Sequence, residues 1–140
     1  MRCAVMWSGG KDSALAADRA RRNGVEIACL VNFYDEATGR VRFHATRAAL
    51  IAAQADAIGV PLVQYGTTWT GFEAAFQKML TVIDSQGVEG VVFGDIHLAD
   101  VRAWYEARVR AAGLAHVEPL WARSPASFSR SLSRAAPELL

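Results

Sequence analysis

Short apolar runs and amphipathic stretches alternate along this chain. Cys3-Ala4-Val5-Met6-Trp7 is continuously apolar and reads as a buried strand. A helix is expected from about Lys11 to Arg22, where Asn23-Gly24 gives a stop signal. Glu26 to Phe33 reads as a second buried strand, and Tyr34 to Val41, which holds Asp, Glu, Thr and Gly, as a polar loop. Thr46 to Ile58 is expected to be helical, with Leu50, Ile51, Gln54, Ala55 and Ile58 at helical spacing; Gly59 ends it and Pro61 blocks its continuation. Pro61 to Tyr65 is a third strand. Thr70-Gly71-Phe72-Glu73 has the spacing of a capping box. The helix behind it gathers Phe72, Phe76, Met79, Leu80 and Ile83 on one core-facing stripe and stops at Gly87. Gly90 to Gly94 is a fourth strand. Leu98, Val101, Tyr105, Val109 and Ala112 line the next helix, which stops at Gly113, and Ala115 to Pro119 is a short fifth strand.

This alternation predicts an α/β fold, with a parallel five-stranded sheet covered by helices on both faces. Ligands of such sheets bind beyond the carboxyl ends of the strands, at the switch point. Residues 1–121 are expected to form one domain. Residues 122–140 differ, being rich in Ser and Arg. Ser124-Pro125 resembles a helix start and Phe128 and Leu132 share an apolar edge, so a short amphipathic helix and a frayed end are both open.

Composition narrows the classes. Of 140 residues 52% are hydrophobic and 21% charged, a globular balance. A net charge of +1 gives no electrostatic argument for nucleic acid. Arg19, Arg21 and Arg22 read as the basic last turn of a helix, and Arg102 with Glu106 as a surface pair. Cys3 and Cys29, the two cysteines, fall in predicted strands and are expected to be inert core thiols. No signal peptide or membrane-spanning run is legible, so the cytoplasm is the expected compartment.

The chemistry is concentrated in Ser8-Gly9-Gly10-Lys11-Asp12-Ser13, between the first strand and the first helix. Gly9 and Gly10 leave no side chain between backbone and ligand. Backbone N–H groups of such a turn, with the helix dipole behind them, form a nest for an anion. Lys11 adds a cation, Ser8 and Ser13 add hydroxyls, and Asp12 beside a phosphate makes sense with a magnesium ion between them. A Walker A loop needs Gly-x-x-x-x-Gly-Lys-Ser/Thr, and Asp12 stands where Ser or Thr would. Gly94-Asp95 ends the fourth strand and should face the same crevice. Asp95 suits a ribose hydroxyl, a metal, a substrate amine or a plain helix cap. His97 follows it as a weaker candidate.

Ser-Gly-Gly-Lys-Asp-Ser resembles the PP-loop of the ATP pyrophosphatases, which cleave ATP to AMP and pyrophosphate. Taken in order, Trp7 to Ser13, Phe43-His44, Gly94 to Arg102 and Pro119-Leu120-Trp121 resemble the diphthine–ammonia ligase family. The resemblance implies a Rossmann-like adenine nucleotide alpha hydrolase (HUP) fold, with ATP and Mg2+ as cofactors. It also implies adenylation of the diphthine carboxylate on an elongation factor, and displacement of AMP by ammonia. By position, Ser8, Gly9, Gly10, Lys11, Asp12 and Ser13 would hold the phosphates; Val31 and Asn32 would lie near adenine; His44, Gly94 and Asp95 would complete the site. Lys11, Asp12 and Asp95 would act in catalysis, and Asp12 would hold the magnesium.

Family members usually continue into a region with a Glu-Phe-His-Thr-like motif, which this sequence lacks, and Ala122 stands where Gly is common. A nucleotide-binding module without catalysis is therefore one alternative. A PP-loop RNA-modifying thiolation enzyme is another, opposed by the missing Cys-x-x-Cys and the near-neutral charge. Exposed apolar surface at a sheet edge would favour a homodimer.

Overall fold

The computed structural model describes residues 1–41, 47–68, 70–94 and 99–120. Its elements are β1 (Arg2–Met6), α1 (Lys11–Arg22), β2 (Glu26–Asp35), β3 (Arg40–Val41), α2 (Ala48–Ile58), β4 (Leu62–Thr67), α3 (Phe72–Ser85), β5 (Gly90–Val92), α4 (Ala99–Ala111) and β6 (Ala115–Val117). All five expected strands form and pair in parallel. The sheet is nonetheless mixed and six-stranded, because β3 pairs antiparallel with the end of β2. The stretch read as a polar loop is thus partly ladder. Asp35 Oδ1 accepts from the Ala37 N–H at 2.7 Å and turns the chain back.

Tyr34 and Asp35 pair with both β3 and β4, so those two strands flank β2 on opposite sides. The parallel strands therefore run β4-β2-β1-β5-β6. Chain order reverses at β1, and the switch point lies between β1 and β5. This is a Rossmann-like arrangement compatible with the HUP fold.

Alternation along β1 divides the core. Cys3, Val5 and Trp7 face Ala16, Ala20, Ile51 and Ala55 of α1 and α2. Ala4 and Met6 face Phe76, Met79, Leu80 and Ile83 of α3 and Val109 of α4. Each face is thus sealed by one helix pair, and α1 and α4 lie on opposite sides of the switch point. The α3 stripe is core, as its spacing predicts. On α2 only Ile51 and Ala55 are buried, while Leu50 and Ile58 are about half exposed at 52% and 45%. Val101 is likewise exposed rather than lining α4 inward; Trp104 packs against that core instead.

Two local expectations fail for identifiable reasons. Gly71, not Thr70, is the N-cap of α3, and no side chain caps it there. Thr68 Oγ1 accepts from the Gly71 N–H at 3.1 Å, and Glu73 reaches Arg108 Nη2 at 3.0 Å. Arg102 does not pair with Glu106. It lies 3.9 Å from Glu118, just past β6, while Glu106 pairs with Arg110 one turn on, at 2.8 Å. The basic last turn of α1 is as expected, with Arg22 held by Asp18 at 3.0 Å. No helix among the described residues is long and apolar enough to cross a membrane. Residues 122–140 lie outside the described residues.

Candidate functional site

The glycine loop leaves β1 at the switch point. Trp7 adds one more rung to the ladder, its N–H donating to Val31 O at 2.7 Å. Gly9 then takes φ +83°, and a Cβ there would fall 2.7 Å from Ile51 Cδ1. Backbone conformation and space both demand glycine at this position. Gly10 is the N-cap of α1. Its carbonyl accepts from Ala14 N at 3.2 Å and from Ser13 Oγ at 3.1 Å, while its own N–H donates to Ser8 Oγ at 3.3 Å. The hydroxyls of Ser8 and Ser13 stand 3.3 Å apart, and Ser8 N donates to Ser13 Oγ at 3.4 Å. The loop is therefore closed on itself by two serines.

Lys11 is exposed at the start of α1, Asp12 is half-buried in its first turn, and Ser13 is buried. Backbone N–H groups, two hydroxyls and one ammonium make a donor set suited to phosphate oxygens. One carboxylate beside them suits magnesium, which keeps most of its water and takes one or two carboxylates plus phosphate. Among the described residues no group of three or more His, Cys, Asp or Glu is gathered for a metal, so Asp12 would act with the phosphates and water.

Gly94 follows β5 on the other side of the switch point. A Cβ on it would lie 3.3 Å from the Asp12 carbonyl carbon and from Ser13 N. Its bareness lets the segment after β5 approach the first turn of α1, bringing together the two stretches that sequence placed in one crevice. Asp95, His97 and His44 lie outside the described residues.

Val31 and Asn32 lie within β2, which continues past them to Asp35, rather than at its end. Val31 is fully buried and Asn32 is 2% exposed. The Asn32 amide is committed within the chain: Nδ2 donates to Trp7 O at 2.9 Å, and Oδ1 accepts from Gln64 Nε2 at 3.0 Å. Gln64 Nε2 also donates to Ala48 O at 3.1 Å. Trp7 Nε1 donates to Gln54 Oε1 at 2.9 Å. A polar framework thus ties β1, β2, β4 and α2 together directly behind the loop. Sequence reasoning singled out neither glutamine for it. The available signal was a polar residue inside an apolar helix, and another in mid-strand.

Beyond β5, His116 and Glu118 of the β6 segment form a buried pair, Nε2 to Oε1, and His116 stacks on Phe93 with centroids 4.6 Å apart. Arg102 approaches the same carboxylate from α4. A separate groove of about 270 Å³, lined by Phe72, Asp100, Val101, Trp104 and Tyr105, opens at the N-terminal ends of α3 and α4. It contains none of the residues carried over from the family resemblance. Both cysteines are buried, and burial pushes the Cys3 thiol up to about 12 and raises that of Cys29. They are neutral, unreactive core groups at ordinary pH.

A glycine loop closed by serines, seated at the reversal of a doubly wound sheet and followed by Lys-Asp-Ser, defines a class: the PP-loop ATP-pyrophosphatase-like proteins. The particular family follows from the whole sequence. Residues 1–116 match the family model of the diphthamide synthase N-terminal domain, and the chain belongs to that family. No curated protein matches the chain.

Proposed function

We propose that the chain binds ATP with magnesium at the Ser8 to Ser13 loop and adenylates a carboxylate, which ammonia then converts to an amide. The observation that carries this reading is the loop itself, a glycine turn at the switch point with Lys11, Asp12 and Ser13 in the first turn of α1 behind it. A carboxylate oxygen of the acceptor attacks the α-phosphorus, the α–β bridging bond breaks, and pyrophosphate leaves. Ammonia then attacks the acyl carbon, AMP leaves with the bonding pair, and the nitrogen loses its surplus proton to water. Lys11 and the loop N–H groups are suited to the charge that grows on the leaving pyrophosphate. Magnesium, when bound by Asp12 and the phosphates, would neutralise part of that charge. Asp95 is the remaining acidic candidate, for ribose, metal or amine. Family membership makes diphthine on an elongation factor the first acceptor to try.

Incubation with ATP, magnesium, ammonium and diphthine-bearing elongation factor should release AMP and pyrophosphate, and ADP as product would sink the assignment. Lys11→Ala should weaken MgATP binding on the order of tenfold or more, because it removes a charge-assisted contact. Its thermal midpoint should stay unchanged, since Lys11 is exposed. Parental affinity in that variant would remove the phosphate role from Lys11.

A further inference from the structure

The apolar run of α2 is interrupted at Gln54, and this half-buried side chain turns toward the loop. An indole N–H can only donate, so the bond from Trp7 fixes the amide: Oε1 faces Trp7 and the NH2 group faces elsewhere. A Cβ on Gly9 would lie 2.9 Å from Gln54 Oε1 and 3.6 Å from Nε2, so the amide rests against the backbone of the phosphate loop. The neighbouring Gln64 spends its Nε2 on Asn32 and Ala48. Among the described residues nothing accepts from Gln54 Nε2.

We infer that Gln54 of α2 is a further ligand-binding residue beside this loop. Its Nε2 donates to a phosphate oxygen of the nucleotide while Trp7 holds the amide in register. This rests on the ATP reading above. A neutral donor adds direction to the field of Lys11 without adding charge, and a hydrogen bond to an anionic oxygen is stronger than one between neutral groups.

Two variants separate a ligand from a prop. Gln54→Glu keeps an oxygen for Trp7 and replaces the donor with an acceptor. Gln54→Met removes the donor and the Trp7 partner but adds no charge. Calorimetric titration with MgATP, beside thermal midpoints without ligand, should show both variants weakened on the order of tenfold or more. Gln54→Glu should be the weaker binder although it keeps the parental midpoint. A merely structural role reverses the ranking, with Gln54→Glu binding as the parent does, and that result overturns the inference. Parental affinity in Gln54→Met overturns it as well, since the Glu effect would then be field alone. A parent chain that fails to bind MgATP overturns the ATP reading itself, and the inference falls with it.

Discussion

The two faces of the sheet are built from different materials. On the α1 and α2 face the helices contribute mostly small residues: Ala16, Ala20 and Ala55 are all nearly inaccessible. The α3 and α4 face is aromatic. Phe33, Phe72, Phe76, Phe93, Trp104 and Tyr105 form one connected set of ring contacts, with Phe76 5.3 Å from Tyr105 and 5.5 Å from Trp104. Large rings remove much apolar area from water. Small side chains let a helix pack close to the sheet, and α1, which packs through Ala16 and Ala20, carries Lys11, Asp12 and Ser13 in its first turn. One face holds most of the large rings, and the other carries the loop residues.

That division can be broken by mutation. Phe76→Ala, at a fully buried ring, should cost about 3–5 kcal/mol in chemical denaturation. Nucleotide affinity of the folded fraction should stay parental. Ala16→Leu on the opposite face should cost less, about 1–3 kcal/mol from overpacking. It should nonetheless lower MgATP affinity, because lifting α1 moves Lys11 to Ser13. If Phe76→Ala were the variant that lost affinity, the two faces would not be separable.

The smallest effect, counted per pH unit, is pH-dependent and belongs to the strand between the faces. The Cys3 thiol ionises near 9.0 when unfolded and at about 12 when folded, chiefly through burial. Between those values the unfolded chain has shed a proton that the native chain keeps. Stability from this group is complete below about pH 9 and falls as pH rises toward 12, at no more than ~1.4 kcal/mol per pH unit. Denaturation midpoints followed from pH 8 upward should fall less steeply in Cys3→Ala than in the parent, and an identical slope would refute the assignment.

What sequence could reveal here was local. The bounds of α1 followed from the loop before it and Asn23-Gly24 after it, and the α3 stripe from its spacing. The β3 ladder escaped because two residues carry no period, and its polar neighbours read equally well as loop. Glu118 escaped as the partner of Arg102 because it lies sixteen positions downstream, beyond any helical rule. The framework behind the loop was hidden in the same way: its bonds join residues 25, 32 and 47 positions apart. The loop was legible because its chemistry is contiguous. The parts that aim it were not, because only the sheet brings them together.

Gly94 has a mechanical consequence. A Cβ there would lie 3.3 Å from the backbone of Asp12 and Ser13, so any larger residue would push the exit of β5 away from the first turn of α1. The spacing across the switch point is thus set by a single position of the sequence, and enlarging that position is the direct way to widen it.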